Sequence, residues 1–311
     1  MPVLAVVIPV FNEEPVLPEL VRRLQAVFDH LPELRCEAVL VDDGSRDKSA
    51  EMVAEVATRD PRFRLVRLSR NFGHQPALTA GLERAGHADA VVTMDADLQD
   101  PPELIPDLVK AWQGGAEVVL AVRTARAESG LRRLGFELFH RVFGRVSDLP
   151  VEANTGTFGL LARPAVTALN ALGEHHRFFP GLRAWVGFRR AEVFYERHER
   201  VAGTPAQTFR RLVRYALDGV FSFSRLPLRL VTYCGLLVAG LGFVIAAFFT
   251  IRRLLGIEVA ATGFTTLVTL VLFLGGVQLV GIGVLGEYLG RIYDEVKRRP
   301  VYLAREDPPS R

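Results

Sequence analysis

The sequence predicts an α/β domain built on a mostly parallel sheet, followed by a hairpin of two membrane-spanning helices. Three observations carry that expectation. Short β-branched runs alternate with stretches whose apolar residues recur at helical spacing, the pattern of repeated β-α-β units. Polar and acidic residues collect just after those runs. Two late stretches, Leu230 to Ile251 and Val259 to Gly286, run 22 and 28 residues without a charge. Each is long enough to cross a hydrocarbon core of about 30 Å.

The first strand is Leu4 to Pro9, and the helix after it, Glu13 to His30, is paced by Val16, Leu20, Leu24 and Val27. The opening run M-P-V-L-A-V-V-I-P-V has no basic flank or cleavage site, so it is read as this strand rather than as a signal peptide. A second strand, Glu37 to Val41, ends in Asp42-Asp43-Gly44-Ser45 and leads to a helix over Asp47 to Arg59. Arg64 to Leu68 is the third strand, with a helix from near Gln75-Pro76 to Gly86. Ala90 to Met94 is the fourth, its helix Glu103 to Gly114, and Glu117 to Val122 is the fifth. Asn12 and Glu13, Asp42 to Ser45, Arg70 and Asn71, Asp95 and Asp97, and Arg123 all fall at carboxyl ends of strands. That rim is where open α/β sheets bind ligands.

The net charge of +3 is small and spread, which argues against nucleic acid as the main partner. Cys36 and Cys234 are the two cysteines, and their positions imply no disulfide, redox or zinc site. The first strand is followed by P-V-F-N-E-E rather than G-x-G-x-x-G, and no P-loop lysine motif occurs. A diphosphate bound at this rim would need a metal to neutralise it. Val91 to Pro102, V-V-T-M-D-A-D-L-Q-D-P-P, supplies the place. In extended chain Asp95, Asp97 and Gln99 face one way and offer oxygen ligands to one hard cation, Mg²⁺ or Mn²⁺ rather than Zn²⁺. The same stretch also reads as a strand end followed by a helix cap, a role retained for Asp100 ahead of Pro101 and Pro102.

Arg123, Arg126, Arg132, Arg133, Arg141 and Arg145 surround an amphipathic helix whose apolar face includes Leu131, Leu134 and Leu138. Such a surface suits an anionic head group, because guanidinium forks match phosphate. Pairing of Arg133, Glu137 and Arg141 at four-residue spacing on a solvated helix is the alternative. Arg123 stands outside it, at the rim. Between Phe209 and Phe221, apolar residues at helical spacing oppose Arg210, Arg211 and Arg214, as in a helix lying in a membrane interface or a core helix of the domain. Arg225 and Arg229 precede the first span and Arg291, Lys297, Arg298 and Arg299 follow the second, against Arg252 and Arg253 between them. This bias puts the domain and both termini in the cytoplasm, on a multi-pass protein of the plasma membrane.

The motifs I-P-V-F-N-E-E at 8–14, V-D-D-G-S at 41–45, S-R-N-F-G at 69–73 and M-D-A-D-L-Q-D-P-P-E at 94–103 resemble the family 2 glycosyltransferases. R-F-F-P-G-L-R-A-W-V-G-F at 177–188, D-G-V-F-S-F-S-R-L-P-L at 218–228 and the two-span tail extend the resemblance over nearly the whole chain. Within the family it is closest to the polyprenyl-phosphate and dolichyl-phosphate hexose synthases, including bactoprenol glucosyltransferases. The resemblance implies a Rossmann-like GT-A catalytic domain over residues 1–204 and an interfacial region over 205–229. Spans at 230–251 and 259–286, a turn at 252–258 and a cytoplasmic tail at 287–311 follow. It implies Mg²⁺ or Mn²⁺ at Asp95, Asp97 and Gln99, and a nucleotide-diphosphate sugar, UDP-glucose by preference. Pro9, Glu13 and Asp42, with Asp43 nearby, would hold its nucleoside, and Arg200 would assist its diphosphate. Arg123 and one of Arg132 and Arg133, Arg133 first, would bind the phosphate of a polyprenyl phosphate. Asp97, Arg123 and Arg133 then form the expected catalytic set.

Two of these residues have structural alternatives. Asp42 also suits a turn in which it bonds the amides of Gly44 and Ser45, the lesser of its two readings. Glu13 equally suits a first-turn helix carboxylate favoured by the dipole. The chain also departs from the family pattern. Thr155 to Phe158 reads T-G-T-F where many relatives have Gly-Asp-Phe, so Thr157 stands in for a carboxylate, and Pro205-Ala206 replaces a Ser-Lys. A phosphate acceptor needs no general base, because its second pKa is about 6 and it is largely dianionic at neutral pH. The region 174–188 accordingly lacks the Glu-Asp pair and Q-x-x-R-W of relatives that act on sugar hydroxyls. Direct displacement would invert the anomeric centre. The rivals are a transferase acting on a lipid or glycan hydroxyl, and a membrane scaffold that binds nucleotide sugar without catalysis. The spans would anchor and orient the domain in membrane lipid, with packing as a homo-oligomer an added expectation.

Overall fold

The amino-terminal β-branched run becomes β1, Val3–Val10, and its residues are buried on both faces. Leu4, Val6, Ile8 and Val10 join the core beneath the first helix, while Ala5 and Val7 turn to the opposite layer. A strand covered on both faces needs no polar alternation, which is why this run reads as continuously apolar. The other strands are β2 Arg35–Asp42, β3 Phe63–Arg67, β4 Ala90–Thr93, β5 Val118–Arg123, β6 Thr155–Ala162 and β7 Arg190–Tyr195. In this computed structural model, which describes residues 1–124, 155–175, 177–196, 226–255 and 263–305, they form one sheet ordered β3-β2-β1-β4-β6-β5-β7. Among the described residues β6 alone runs against its neighbours, β4 and β5.

Helices α1 Leu17–Asp29, α2 Ser49–Arg59, α3 His74–Arg84 and α4 Ile105–Gln113 supply the crossovers, with a 3₁₀ turn Pro102–Leu104 before α4. Two shorter helices, α5 Arg163–Ala171 and α6 Phe179–Trp185, follow β6. Leu17, Leu20, Leu24, Val27 and Phe28 bury one face of α1. Each such side chain is worth roughly 1.5–3 kcal/mol over exposure. The helix starts four residues later than the periodicity suggests. Pro15 disfavours helical backbone at Glu14, and Val16 and Leu17 instead close a turn onto the Glu13 carbonyl at 3.0 and 3.1 Å.

The chain steps from β1 to β2 to β3 in one direction, then returns to place β4 on the other side of β1. That reversal is the switch point at which open sheets bind ligands. Pro9 lies in this central strand, where a proline is normally costly. Pairing of β1 with β4 stops at Val7, whose carbonyl accepts from Met94 N–H at 3.1 Å. Pro9, two residues on, faces the same side, where β4 has already turned away, so its missing N–H breaks no ladder bond.

The outer edge of β3 is closed by the end of the chain. Leu68 and Ala304 form an antiparallel bridge, Ser69 N–H donates to the Leu303 carbonyl and Arg305 N–H to the Arg67 carbonyl, both at 2.7 Å. The Tyr302 hydroxyl donates to Glu83 at 2.6 Å. Residues expected to be a tail thus cover an edge that would otherwise offer unpaired backbone groups.

Leu217–Arg298 forms a second compact unit containing α7, Leu226–Leu254, and α8, Phe264–Lys297. These are the two helices, among the described residues, long and apolar enough to cross a membrane. They touch where Gly281 faces Val231, and a Cβ at 281 would lie 3.3 Å from Val231 Cγ1. The sequence placed residues 287–297 in a tail; they continue α8, whose 34 residues span about 51 Å at 1.5 Å each.

Candidate active site

The turns after β1 and β2 are bonded into one piece. Asn12 sits at φ 56°, a left-handed conformation that asparagine tolerates, and its Oδ1 accepts Arg46 N–H at 2.8 Å. Asn12 N–H donates to Ser45 Oγ at 3.0 Å, and Glu13 N–H to Ser49 Oγ at 2.9 Å. Glu13 therefore precedes the helix instead of opening it, and the first-turn carboxylate is Glu19. Asp42 Oδ1 accepts Ser45 N–H at 3.1 Å, the turn role read as its alternative. Gly44 between them has φ +70°, and a Cβ there would lie 2.6 Å from the Arg70 carbonyl carbon. The V-D-D-G-S turn can rest against the S-R-N-F-G loop only because residue 44 has no side chain.

Asp43 makes that same junction from the other side. Its buried carboxylate accepts Phe72 N–H at 2.7 Å and Gly73 N–H at 2.9 Å. Burial raises its carboxyl above the ordinary aspartate range, even against those two amides. The next residue, His74, begins α3 and brings Nε2 to 2.9 Å from Asp95 Oδ1. The Thr157 hydroxyl donates to the same oxygen at 3.0 Å. Burial opposes the charge on Asp95, but the bond and charge of His74, the Thr157 bond and the field of Arg123 hold its carboxyl down to about 2. Burial likewise opposes the imidazolium of His74, yet Asp95, Asp43 and Asp97 together raise it. Three of the expected site carboxylates thus act on one imidazole that the sequence reading did not single out.

The D-A-D-L-Q-D segment is not the extended chain expected. The strand β4 ends at Thr93, and Leu98 adopts φ 57° with its side chain buried in the core. Sinking Leu98 into the core turns the backbone. The outcome for the side chains is nonetheless alternating: Ala96, Leu98 and Asp100 are buried, while Asp95, Asp97 and Gln99 are half-buried at the open face. Gln99 N–H donates to Asp97 Oδ1 at 3.2 Å. Among the described residues no cluster of three or more His, Cys, Asp and Glu is placed to hold a metal. Two carboxylates at an open face fit the donor set in which Mg²⁺ or Mn²⁺ keeps waters and substrate phosphates as its remaining ligands. They do not fit a closed zinc site.

Asp100 does not cap a helix. Pro101 occupies the cap position of the 3₁₀ turn without a side-chain bond. Asp100, 0% exposed, instead accepts the Tyr195 hydroxyl through Oδ1, which also lies 3.5 Å from Arg123 Nη2. Arg123 Nε donates to the Tyr195 oxygen at 3.0 Å. Burial opposes the guanidinium charge, but Asp100, Tyr195 and Asp95 raise its pKa further. Burial, reinforced by Asp100, pushes the Tyr195 phenol well up, so it stays protonated and able to donate. The rim thus gathers Asp42 and Asp43 at the end of β2, Asp95 and Asp97 after β4 and Arg123 at the end of β5, with Pro9 buried in β1. Arg132, Arg133, Arg200 and Ala206 lie outside the described residues.

The profile of glycosyl transferase family 2 matches residues 5–166, from β1 through the Thr157 segment. The chain belongs to that family. This family 2 glycosyltransferase is 42% identical over 305 residues to an uncharacterized glycosyltransferase, sll0501, of Synechocystis, covering 97% of this chain and 95% of that protein. It is 42% identical over 304 residues to the SfII prophage-derived bactoprenol glucosyl transferase of Shigella flexneri, covering 97% of each. Among solved structures it is similar to glucosyl-3-phosphoglycerate synthase from Mycobacterium tuberculosis in complex with Mn²⁺, uridine diphosphate and phosphoglyceric acid. That likeness has a TM-score of 0.49 at 19% identity and covers 71% of this chain and 76% of the other. Family and sheet together make the domain a GT-A fold, as the sequence predicts, with two apolar helices after it.

Proposed function

We propose that the protein is a membrane-anchored, metal-dependent, inverting glucosyltransferase that moves glucose from UDP-glucose to polyprenyl phosphate at the cytoplasmic face of the plasma membrane. The observation that carries this reading is the shared rim. Asp95 and Asp97 stand at the β1/β4 switch point, and Arg123, a fixed cation close enough to act on Asp95, stands at the end of β5. The relatives whose names include bactoprenol glucosyl transferase, matched along 97% of this chain, support both the sugar and the acceptor.

Asp95, Asp97 and Gln99 would hold Mg²⁺ or Mn²⁺. Bound there, the cation would neutralise the donor diphosphate and ease its departure. Asp42 and Glu13, beside Pro9, would read the nucleoside, with Asp43 supporting their loop. Arg200 would add charge to the donor diphosphate. Arg123, with Arg133 or Arg132, would bind the acceptor phosphate and aim one of its oxygens at the anomeric carbon. That oxygen is already anionic at neutral pH, so no side chain has to remove a proton. Thr157 hydrogen-bonds Asp95 without adding a negative charge beside it.

The return of residues 301–305 to β3 supports the topology. A chain end paired with the domain must lie on the domain's side, which requires an even number of crossings, and α7 and α8 provide two. The basic residues flanking the pair favour the cytoplasmic side. The glycines of the spans leave room for packing as a homo-oligomer.

The test is an acceptor competition. Purified protein in detergent with UDP-[¹⁴C]glucose and Mn²⁺ is offered undecaprenyl phosphate and undecaprenol at equal concentration. Label is expected in the phosphate lipid alone; transfer to the alcohol at a comparable rate would overturn the reading.

A further inference from the structure

Arg123 is held from three directions by residues with no assigned role. Its backbone pairs with that of Tyr195 in register on the parallel strands β5 and β7. The Tyr195 oxygen accepts Arg123 Nε–H at 3.0 Å and donates its own proton to Asp100. Asp100 closes the triangle, its Oδ1 lying 3.5 Å from Arg123 Nη2. The ring of Tyr195 is fixed in turn by Phe158, edge-on at 5.7 Å and 90°. The guanidinium lies against the β6 backbone at Gly156, where a Cβ would come within 2.7 Å of Nη2. Only 25% of the arginine side chain remains exposed.

Such an arrangement is costly unless it serves something. A fully buried carboxylate loses its hydration and keeps its charge only with close partners. A long, flexible cation is held before any ligand arrives. Asp100 also belongs to the turn that carries Asp95 and Asp97. The clamp therefore fixes Arg123 relative to the carboxylate pair.

We propose that Tyr195 and Asp100 are positioning residues that pre-set Arg123 to receive the phosphate-monoester head of the acceptor, with Gly156 providing the space in which the guanidinium lies. The inference rests on the reading of Arg123 as an acceptor-phosphate ligand. Preorganisation lowers the ordering cost of binding, so loosening the clamp weakens acceptor capture while leaving the donor side alone. A phenol serves because one oxygen both accepts from Nε and donates to the carboxylate.

The experiment uses the full-length protein in detergent with UDP-glucose, Mn²⁺ and undecaprenyl phosphate. Tyr195→Phe keeps the ring and its contact with Phe158. It is expected to raise KM for undecaprenyl phosphate about tenfold while KM for UDP-glucose stays within twofold. Gly156→Ala, which displaces the guanidinium with Tyr195 intact, is expected to give the same split. In an Arg123→Ala background the added Tyr195→Phe is expected to have no further effect, since residues acting through one another are non-additive. An unchanged acceptor KM in Tyr195→Phe, equal rises in both KM values, or an undiminished effect in the Arg123→Ala background would each overturn the clamp. If Arg123→Ala raises the acceptor KM and Tyr195→Phe does not, the clamp fails alone. If Arg123→Ala leaves the acceptor KM unchanged, the acceptor reading of Arg123 fails with it.

Discussion

Asp43 separates scaffold from ligand contact at the nucleoside end of the rim, and Asp43→Asn is the informative substitution. Its two oxygens accept the amides of Phe72 and Gly73 at 2.7 and 2.9 Å. Bonds to a charged acceptor are worth about 1.5–3 kcal/mol each, and asparagine can keep one of them. Against that loss stands the removal of a buried charge, whose cost shows in the raised carboxyl of Asp43. The net expectation is a loss of about 1–2 kcal/mol, since one charged bond outweighs the partial relief of burial. For a domain of this size that is about 2–8 °C in Tm. Asp43→Ala strands both amides and is expected to cost about 3–5 kcal/mol. Thermal unfolding in detergent, followed by tryptophan fluorescence with and without UDP, reads both effects. UDP affinity is expected to fall by less than tenfold in Asp43→Asn, as the S-R-N-F-G loop loosens. A variant that unfolds at the wild-type temperature yet no longer binds UDP would refute the scaffold reasoning and make Asp43 a direct donor contact.

Thr157→Val preserves shape but removes the donor to Asp95, and half-saturating Mn²⁺ in the transfer assay is expected to rise about tenfold, as for lost outer-sphere bonds at other metal sites; an unchanged metal requirement would contradict this. Deleting residues 299–311 removes the bonds to Ser69, Arg67 and Glu83, about 3 kcal/mol at roughly 1 kcal/mol each. It also bares the β3 edge, so a lower unfolding temperature and association in size-exclusion chromatography are expected, and unchanged values for both would refute the strapping role. At acid pH, the Arg62 hydrogen bond holds the Asp60 carboxyl down to about 2, against partial burial. Its unfolded value is about 3.9, so this stabilisation is complete above that pH and is lost as pH falls through 2. Asp60→Asn should therefore unfold below the wild type at pH 5, with the gap narrowing as pH falls toward 2 and closing below it; a constant gap would exclude the linkage.

What could be read from sequence was what local pattern controls. The first five strands and four crossover helices announce themselves by alternating periodicity, and the acidic strand ends mark the rim. The strands β6 and β7 escaped because nothing local says where T-G-T-F-G-L-L-A or R-A-E-V-F-Y pairs: one inserts antiparallel between β4 and β5, the other forms an edge with mixed exposure. His74 adjoins the S-R-N-F-G motif, and its place at the start of a helix beside a rim loop was the available signal. Tyr195 had none, since its partners Arg123 and Asp100 lie 72 and 95 positions away. The turn at Leu98 was equally hidden. A leucine at positive φ has no sequence signature and is imposed by burial of its side chain. Asp100 looked like a cap because it precedes two prolines, and only the approach of β5 and β7 gives it a different use.

One reaction tests whether glucose passes to a lipid phosphate with a metal held by Asp95 and Asp97. The most direct measurement incubates purified protein in detergent with undecaprenyl phosphate, Mn²⁺ or Mg²⁺ and a panel of radiolabelled UDP- and GDP-hexoses, beside Asp97→Ala and a chelator control. Label is expected in the organic phase from UDP-glucose and is expected to be lost with chelator and in Asp97→Ala. Label that persists with chelator or in Asp97→Ala, or a donor that binds with metal but never transfers to undecaprenyl phosphate, would contradict metal-dependent transfer at this pair.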